Sequence, residues 1–264
     1  MVYHDVILFL LGSLAGLLSG LLGLGGGIVV VPGLYAYFCY LHFPHQYLMH
    51  LAAGTSFAIM IFTSLRSLYS HRSYKVNFFQ VYRLYAPGVA FGVIIGGCLA
   101  HLFHSLVLKW LFVFIIVVTI FNSFITKVEA TAVSYRSNSW FAMGGLVIGC
   151  FSGMLGIGGS VFTIPYLTFC GVSFRAALST SIAISLTIGA VGLIVTTIMG
   201  SFAVGLPADT IGYVFWPAVL LMALGSVLFS PLGSYLSHRT PVKTLKKCFT
   251  VFLMVVAVHM ILHN

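Results

Sequence analysis

Leu22-Gly23-Leu24-Gly25-Gly26-Gly27 interrupts an apolar stretch in the first half of the chain, and Leu155-Gly156-Ile157-Gly158-Gly159-Ser160 interrupts another in the second. Each break is followed by a short apolar run that contains a proline, Pro32 or Pro165. A constant offset of 133 residues carries Gly12, Gly16, Gly20, Gly23, Gly25, Gly26 and Pro32 onto Gly145, Gly149, Gly153, Gly156, Gly158, Gly159 and Pro165, and Ser19 onto Ser152. This is an internal repeat. Within a bilayer, non-helical backbone is tolerated only where it is buried in protein or lines a cavity. Paired interruptions at matching places of two halves therefore point to the binding site of a repeat-built transporter. The four-residue spacing of Gly12, Gly16 and Gly20, and of Gly145, Gly149 and Gly153, reads differently, as the small-residue ladder of close helix crossings.

Of the 264 residues, 60% are hydrophobic and 6% charged, against about 25% charged in soluble domains. The fold class expected is an all-α polytopic membrane protein. Ten apolar segments can be drawn, at roughly 6–23, 27–41, 48–66, 82–103, 106–126, 140–156, 160–172, 176–200, 212–236 and 243–262. Five fall in each half, so residues 1–135 read as one membrane repeat and 136–264 as the second, together one transport domain. The first two segments of each half are short for a hydrocarbon core of about 30 Å, and the sequence leaves open whether they span or re-enter. Asp5 stands where a removable signal peptide would have basic residues, so the first segment is expected to stay in the protein.

The net charge of +9 does not call for nucleic acid, because the basic residues sit in a few loops between apolar segments. Arg66, Arg72, Lys75 and Arg83 follow segment three, Lys127 and Arg136 segment five, Arg175 segment seven, and Arg239, Lys243, Lys246 and Lys247 segment nine. All these loops fall on one side, and if that side is cytoplasmic, eleven of the twelve basic residues lie inside and Lys109 alone outside. Both termini are then extracytoplasmic. Five segments per half is an odd number, so the two repeats have inverted topology and their glycine breaks approach each other from opposite faces.

A second pair of motifs follows at an offset of 125, His50-Leu51-Ala52-Ala53-Gly54-Thr55-Ser56 and Arg175-Ala176-Ala177-Leu178-Ser179-Thr180-Ser181. Pro87 and Pro217 open the fourth segment of each half. The helix that begins after Gly25 to Gly27 directs its free amides and positive dipole end back at the break, an arrangement that favours an anion. The candidate substrate-binding set is Gly25, Gly26, Gly27, Thr55, Ser56, Gly158, Gly159, Ser160, Thr180 and Ser181. The hydroxyls of the Thr-Ser pairs can donate to anionic oxygens, or bond their own helix carbonyls as serine and threonine often do. His50 and Arg175, at the starts of their segments, are candidates for anion attraction or proton coupling, or are ordinary interfacial polar residues. The three carboxylates, Asp5, Glu129 and Asp209, are expected in loops or termini. No acid is then available for an intramembrane proton relay, and the substrate is expected to be a small anion.

No metal or cofactor is called for, since the histidines lack metal spacing and Cys39, Cys98, Cys150, Cys170 and Cys248 form no CxxC pattern. All five cysteines read as small apolar filler. Hydrolase and phosphate-loop motifs are absent from the sequence, which points away from an enzyme.

The combination of Gly-Leu-Gly-Gly-Gly (23 to 27) with Pro32, Gly-Ile-Gly-Gly-Ser (156 to 160) with Pro165, and the downstream Ala-Ala-Gly-Thr-Ser (52 to 56) and Ala-Leu-Ser-Thr-Ser (177 to 181) resembles the sulfite exporter TauE/SafE family of bacterial membrane transporters. The resemblance covers nearly the whole chain. It implies export of small sulfur-containing anions, such as sulfite or organosulfonates, across the cytoplasmic (inner) membrane. Ser160 departs from the pattern, standing where the family commonly has a third glycine. The expectation is a secondary transporter working by alternating access, with the lipid bilayer and a small anion as partners; a homodimer is compatible with the sequence. The competing readings are an anion channel and a non-transporting membrane assembly factor.

Overall fold

The computed structural model describes residues 2–22, 25–70, 79–125, 138–239, 250–251, 253–258 and 260–261. Gly23, Leu24, Glu129, Cys248 and most of the basic loops (Arg72, Lys75, Lys127, Arg136, Lys243, Lys246, Lys247) lie outside the described residues, as does the side chain of Arg175. The described elements are helices α1 (Val2–Leu22), α2 (Gly27–Tyr40), α3 (Leu48–Ser70), α4 (Phe79–Leu102), α5 (Ser105–Ile125), α6 (Asn138–Leu155), α7 (Ser160–Phe169), α8 (Phe174–Gly200) and α9 (Trp216–Arg239). Two short strands, β1 (Thr210–Ile211) and β2 (Val214–Phe215), pair antiparallel between α8 and α9.

Five helices, α1, α3, α4, α8 and α9, are long and apolar enough to cross a membrane. With its outward-facing Leu10, Phe91, Phe114, Met143, Leu220 and Leu224 exposed, the bundle presents to lipid the apolar surface that a soluble protein would hide. The chain is an all-α multi-pass membrane protein. By contrast α2 has 14 residues and α7 has 10, each with an internal proline. At about 1.5 Å per residue they rise only about 21 and 15 Å, less than the hydrocarbon core of about 30 Å. The core gathers around α3, whose residues 48–60 are buried without exception.

The glycine ladders set how the halves meet. A side chain at Gly12, Gly16 or Gly20 of α1 would strike the main-chain carbonyls of Met222, Ser226 and Ser230 on α9, and one at Gly145, Gly149 or Gly153 of α6 those of Tyr85, Val89 and Val93 on α4. In return Gly225 and Gly233 press on Phe9 and Leu17, and Gly88 and Gly96 on Ala142 and Cys150. Such backbone contact is what small residues permit where hydrophobicity gives no drive for helices to associate. The partners correspond at an offset of 133 in α1 and α6, and of 137 in α4 and α9.

That register corrects the pairing of Pro87 with Pro217. Gly88 and Gly225 are the equivalent residues; Pro87 lies well inside α4, which starts at Phe79, while Pro217 is in the first turn of α9. The ninth segment likewise begins later than its hydropathy suggests, because Thr210 to Phe215 form the hairpin. Asp5 lies near the N-terminus, in the first turn of α1. There a carboxylate complements the positive end of the helix dipole. Lys109, the one basic residue assigned to the outer side, lies within α5 and is 1% exposed.

Candidate functional site

Three glycines in the breaks adopt left-handed backbone, Gly25 at φ 65°, Gly26 at 83° and Gly156 at 70°. Residues with a Cβ pay about 1–2 kcal/mol to do so. The consequence is two helical hairpins, α1–α2 and α6–α7, each with a sharp reversal at its tip. The tips meet. A Cβ on Gly27 would lie 2.5 Å from the carbonyl oxygen of Gly156 and 2.7 Å from the nitrogen of Gly158, so the two breaks touch backbone to backbone.

Around this contact the side chains are small and polar. Ser56 Oγ donates to the Gly156 carbonyl at 2.9 Å, which fixes the second tip to α3. Ser160 Oγ and Ser185 Oγ are 3.1 Å apart, and a Cβ on Gly25 would lie 2.6 Å from Ser185. Gly26 faces Thr63, while Gly159, its counterpart, faces Ile188. In the first turn of α2 the amides of Gly27 and Ile28 have no acceptor four residues back within the helix; Gly26 O is used by Val29 and Val30. The start of α7 is built the same way, with Gly159 O accepting from Phe162 and Thr163.

The sequence-derived hydroxyls divide. Thr55 Oγ1 accepts from the Phe215 amide at 3.0 Å and so anchors the β hairpin. Thr180 donates to Ala176 O and Ser181 to Leu178 O, bonds within their own helix. Ser56 bonds the second glycine break in this closed arrangement.

His50, 7% exposed, lies in the first turn of α3, one turn before Ala53, on which Gly156 of the second tip packs. Its Nε2 donates to Ala100 O at 3.0 Å, which leaves Nδ1 as an acceptor without a partner. The Tyr213 ring from the hairpin packs 5.1 Å from the imidazole, and Tyr213 Oη pairs with His101 Nδ1 at 2.9 Å. Burial pushes the Tyr213 phenol up to about 12, so its proton is retained at neutral pH. A closed cavity of about 10 Å³ lies among His50, His101, Thr196, Gly153 and Tyr213. Of Arg175 only the backbone is described, in the first turn of α8.

Comparison with known proteins places this geometry. The family model for sulfite exporter TauE/SafE matches residues 8–260. The chain belongs to the TauE/SafE family. It is 32% identical over 259 residues to a probable membrane transporter protein of Haemophilus influenzae, covering 97% of this chain and 98% of that one. It is 28% identical to a probable membrane transporter protein of Methanocaldococcus jannaschii, covering 97% and 95%, and 25% identical to one of Bacillus subtilis, covering 97% of each. No solved structure matches it. As a member of this family the chain is a membrane transporter rather than an enzyme.

Four residues of this TauE/SafE protein that sequence reasoning passed over belong to the site or its surroundings. Ser185 stands one turn after Ser181, and residues four apart share a helix face, so the Thr-Ser motif could have been extended to it. Thr63 donates to Ser226 Oγ at 3.1 Å across the α3–α9 contact; no motif marks either. Lys109 Nζ sits 5.4 Å from the centre of the Tyr35 ring on α2, a cation–π contact. An isolated Lys in an apolar helix was its only signal.

Proposed function

We propose that this protein is a secondary transporter that exports a small sulfur-containing anion, such as sulfite or an organosulfonate, across the cytoplasmic membrane by alternating access. The observation that carries the reading is the contact of Gly27 with Gly156 and Gly158, where the two hairpin tips meet among buried serines. Backbone amides at a helix start and neutral hydroxyls are donors suited to oxyanion oxygens. The tips are closed on each other here, so binding requires them to separate, and that separation is the step that exposes the anion.

Substrate class comes from the family, whose model is described as a sulfite exporter. Inversion is supported by the charge distribution together with the reciprocal glycine packing, under which the tips of the α1–α2 and α6–α7 hairpins approach from opposite faces. The Gly25 to Gly27 and Gly158 to Ser160 segments form the two walls of the site, with Ser56 and Ser185 behind them. Thr55, Thr180 and Ser181 hold the frame, and His50 with Arg175 mark its two entrances.

The test is flux in proteoliposomes of labelled sulfite, sulfoacetate and sulfate, with and without a pH gradient. Saturable, mutually competitive flux of one of the sulfur anions is expected. Flux linear in concentration to the solubility limit would favour a channel, and no flux for any of them would remove the substrate class.

A further inference from the structure

Thr63 Oγ1 bonded to Ser226 Oγ shows which faces of α3 and α9 meet. One and two turns on, Ser67 continues the α3 face and Ser230 and Ser234 the α9 face. Ser64 is adjacent to Thr63. On α1, Ser19 neighbours Gly20, whose added Cβ would strike the Ser230 carbonyl. Ser19, Thr63, Ser64, Ser226 and Ser230 are all 0% exposed. Among the described residues the hydroxyls of Ser19, Ser64 and Ser230 have no hydrogen-bond partner. Serines in helices ordinarily bond a carbonyl three or four residues back, and a buried polar group without a partner costs roughly 1–3 kcal/mol. Such groups are unfavourable in the closed state and satisfied once solvent or an oxyanion reaches them.

The equivalent positions in the other half keep one member of this set, Ser152 for Ser19, likewise 0% exposed, and lose the others. With the register set by the glycine contacts and the repeated motifs, Thr63 and Ser64 correspond to Ile188 and Gly189, and Ser226 and Ser230 to Val89 and Val93. Gly26 against Thr63, and Gly159 against Ile188, are the contacts that tie the two registers together.

We propose that Ser19, Thr63, Ser64, Ser226 and Ser230 line a vestibule that opens between α1, α3 and α9 and carries the hydrated oxyanion between the glycine tips and the membrane face where α3 and α9 end. This rests on the transport reading for its cargo. Neutral hydroxyls replace part of an oxyanion's hydration without adding charge, so the anion is passed on and not trapped. The ends of both helices carry cations, Arg66 and Arg239, which raise the local anion concentration at the mouth. The opposite half-path has Ser152 but carries Ile188, Val89 and Val93 in place of Thr63, Ser226 and Ser230.

Full-length protein carrying Ser64→Cys, Ser230→Cys or Val93→Cys is treated in sealed vesicles of either orientation with a charged, membrane-impermeant thiol reagent, the unaltered chain giving the background. Labelling at positions 64 and 230 is expected at least about tenfold faster than at 93, because only a solvated thiol ionises and reacts, and only from the face where α3 ends. Equal rates at all three positions, or labelling from the opposite face, overturn the proposal. Ser64→Ala with Ser230→Ala, which only deletes hydroxyls, is expected to reduce flux severalfold, with Val93→Ala as the neutral control. Labelling without flux supports the vestibule and counts against the transport reading; flux without labelling removes the vestibule alone.

Discussion

The two glycine breaks share a sequence pattern and differ in backbone. In the first, Gly25 and Gly26 are both left-handed; in the second their counterparts Gly158 and Gly159 are not, Gly159 being right-handed at φ −57°, and the left-handed residue is Gly156. Their neighbours differ as well, with Gly26 lying near Thr63 and Gly159 against the end of Ile188. A repeated motif thus specifies that the helix breaks, while the conformation of the break follows from what packs on it. The first break needs glycine at Gly25 and Gly26 for their dihedral angles, as the second does at Gly156, whereas Gly159 has no such need.

The comparison can be broken at its centre. Gly27→Leu drives a side chain into the backbone of Gly156 and Gly158, and loss of flux to background is expected in vesicles that still contain the protein; undiminished flux would mean the tips do not form the site. Next in size is the contrast between equivalent alanines. Gly26→Ala has space, its nearest neighbour being 3.5 Å away, and suffers only the left-handed penalty of about 1–2 kcal/mol. Gly159→Ala has an ordinary helical φ and meets the flexible tip of Ile188 at 2.6 Å, with Thr163 Oγ1 at 3.3 Å and Ile184 Cγ2 at 3.4 Å. Its cost should fall below about 1 kcal/mol, offset by reduced freedom of the unfolded chain. Thermal unfolding in detergent should rank Gly26→Ala as the less stable, and the reverse order would mean that packing, not dihedral strain, governs both breaks.

Smaller still is the Ser160–Ser185 bond. Ser160→Ala and Ser185→Ala should each destabilise by about 1 kcal/mol and be non-additive together, as a double-mutant cycle would show. Additive effects would indicate that the two hydroxyls act separately. The smallest change expected is Tyr213→Phe, which deletes the bond to His101 but keeps the ring on His50. Its effect on flux should be under about threefold, with any change confined to the pH profile, since a neutral hydrogen bond contributes about 0.5–1.5 kcal/mol.

Much of this was legible in the chain. Composition fixes a membrane bundle because 60% hydrophobic residues cannot be hidden in a soluble domain of this size. The ladders at Gly12 and Gly145 announce close crossings by spacing alone, and the breaks announce interruptions by glycine content. What spacing does not carry is the partner. That α1 lies on α9 and α6 on α4 depends on carbonyls and glycines from distant segments coming into contact. Hence the proline pairing, a local feature, gave the wrong register for α4 and α9. Thr63 and Ser226 were invisible for the same reason, because a serine or threonine in an apolar helix reads alike whether it faces lipid, its own backbone or another helix.

By itself, then, the sequence determined the class of molecule, the position of its two breaks and the residue types available to an anion, since these follow from hydropathy, backbone freedom and charge, which are properties of the residues in order. Only the tertiary structure decided that the breaks meet at Gly27 and Gly156, that Thr180 and Ser181 bond their own helix while Ser56 bonds the second tip, and that Lys109 is buried against Tyr35. The physical reason is that hydrogen bonds and close packing reach only a few ångströms, and which groups come that close is set by the whole bundle.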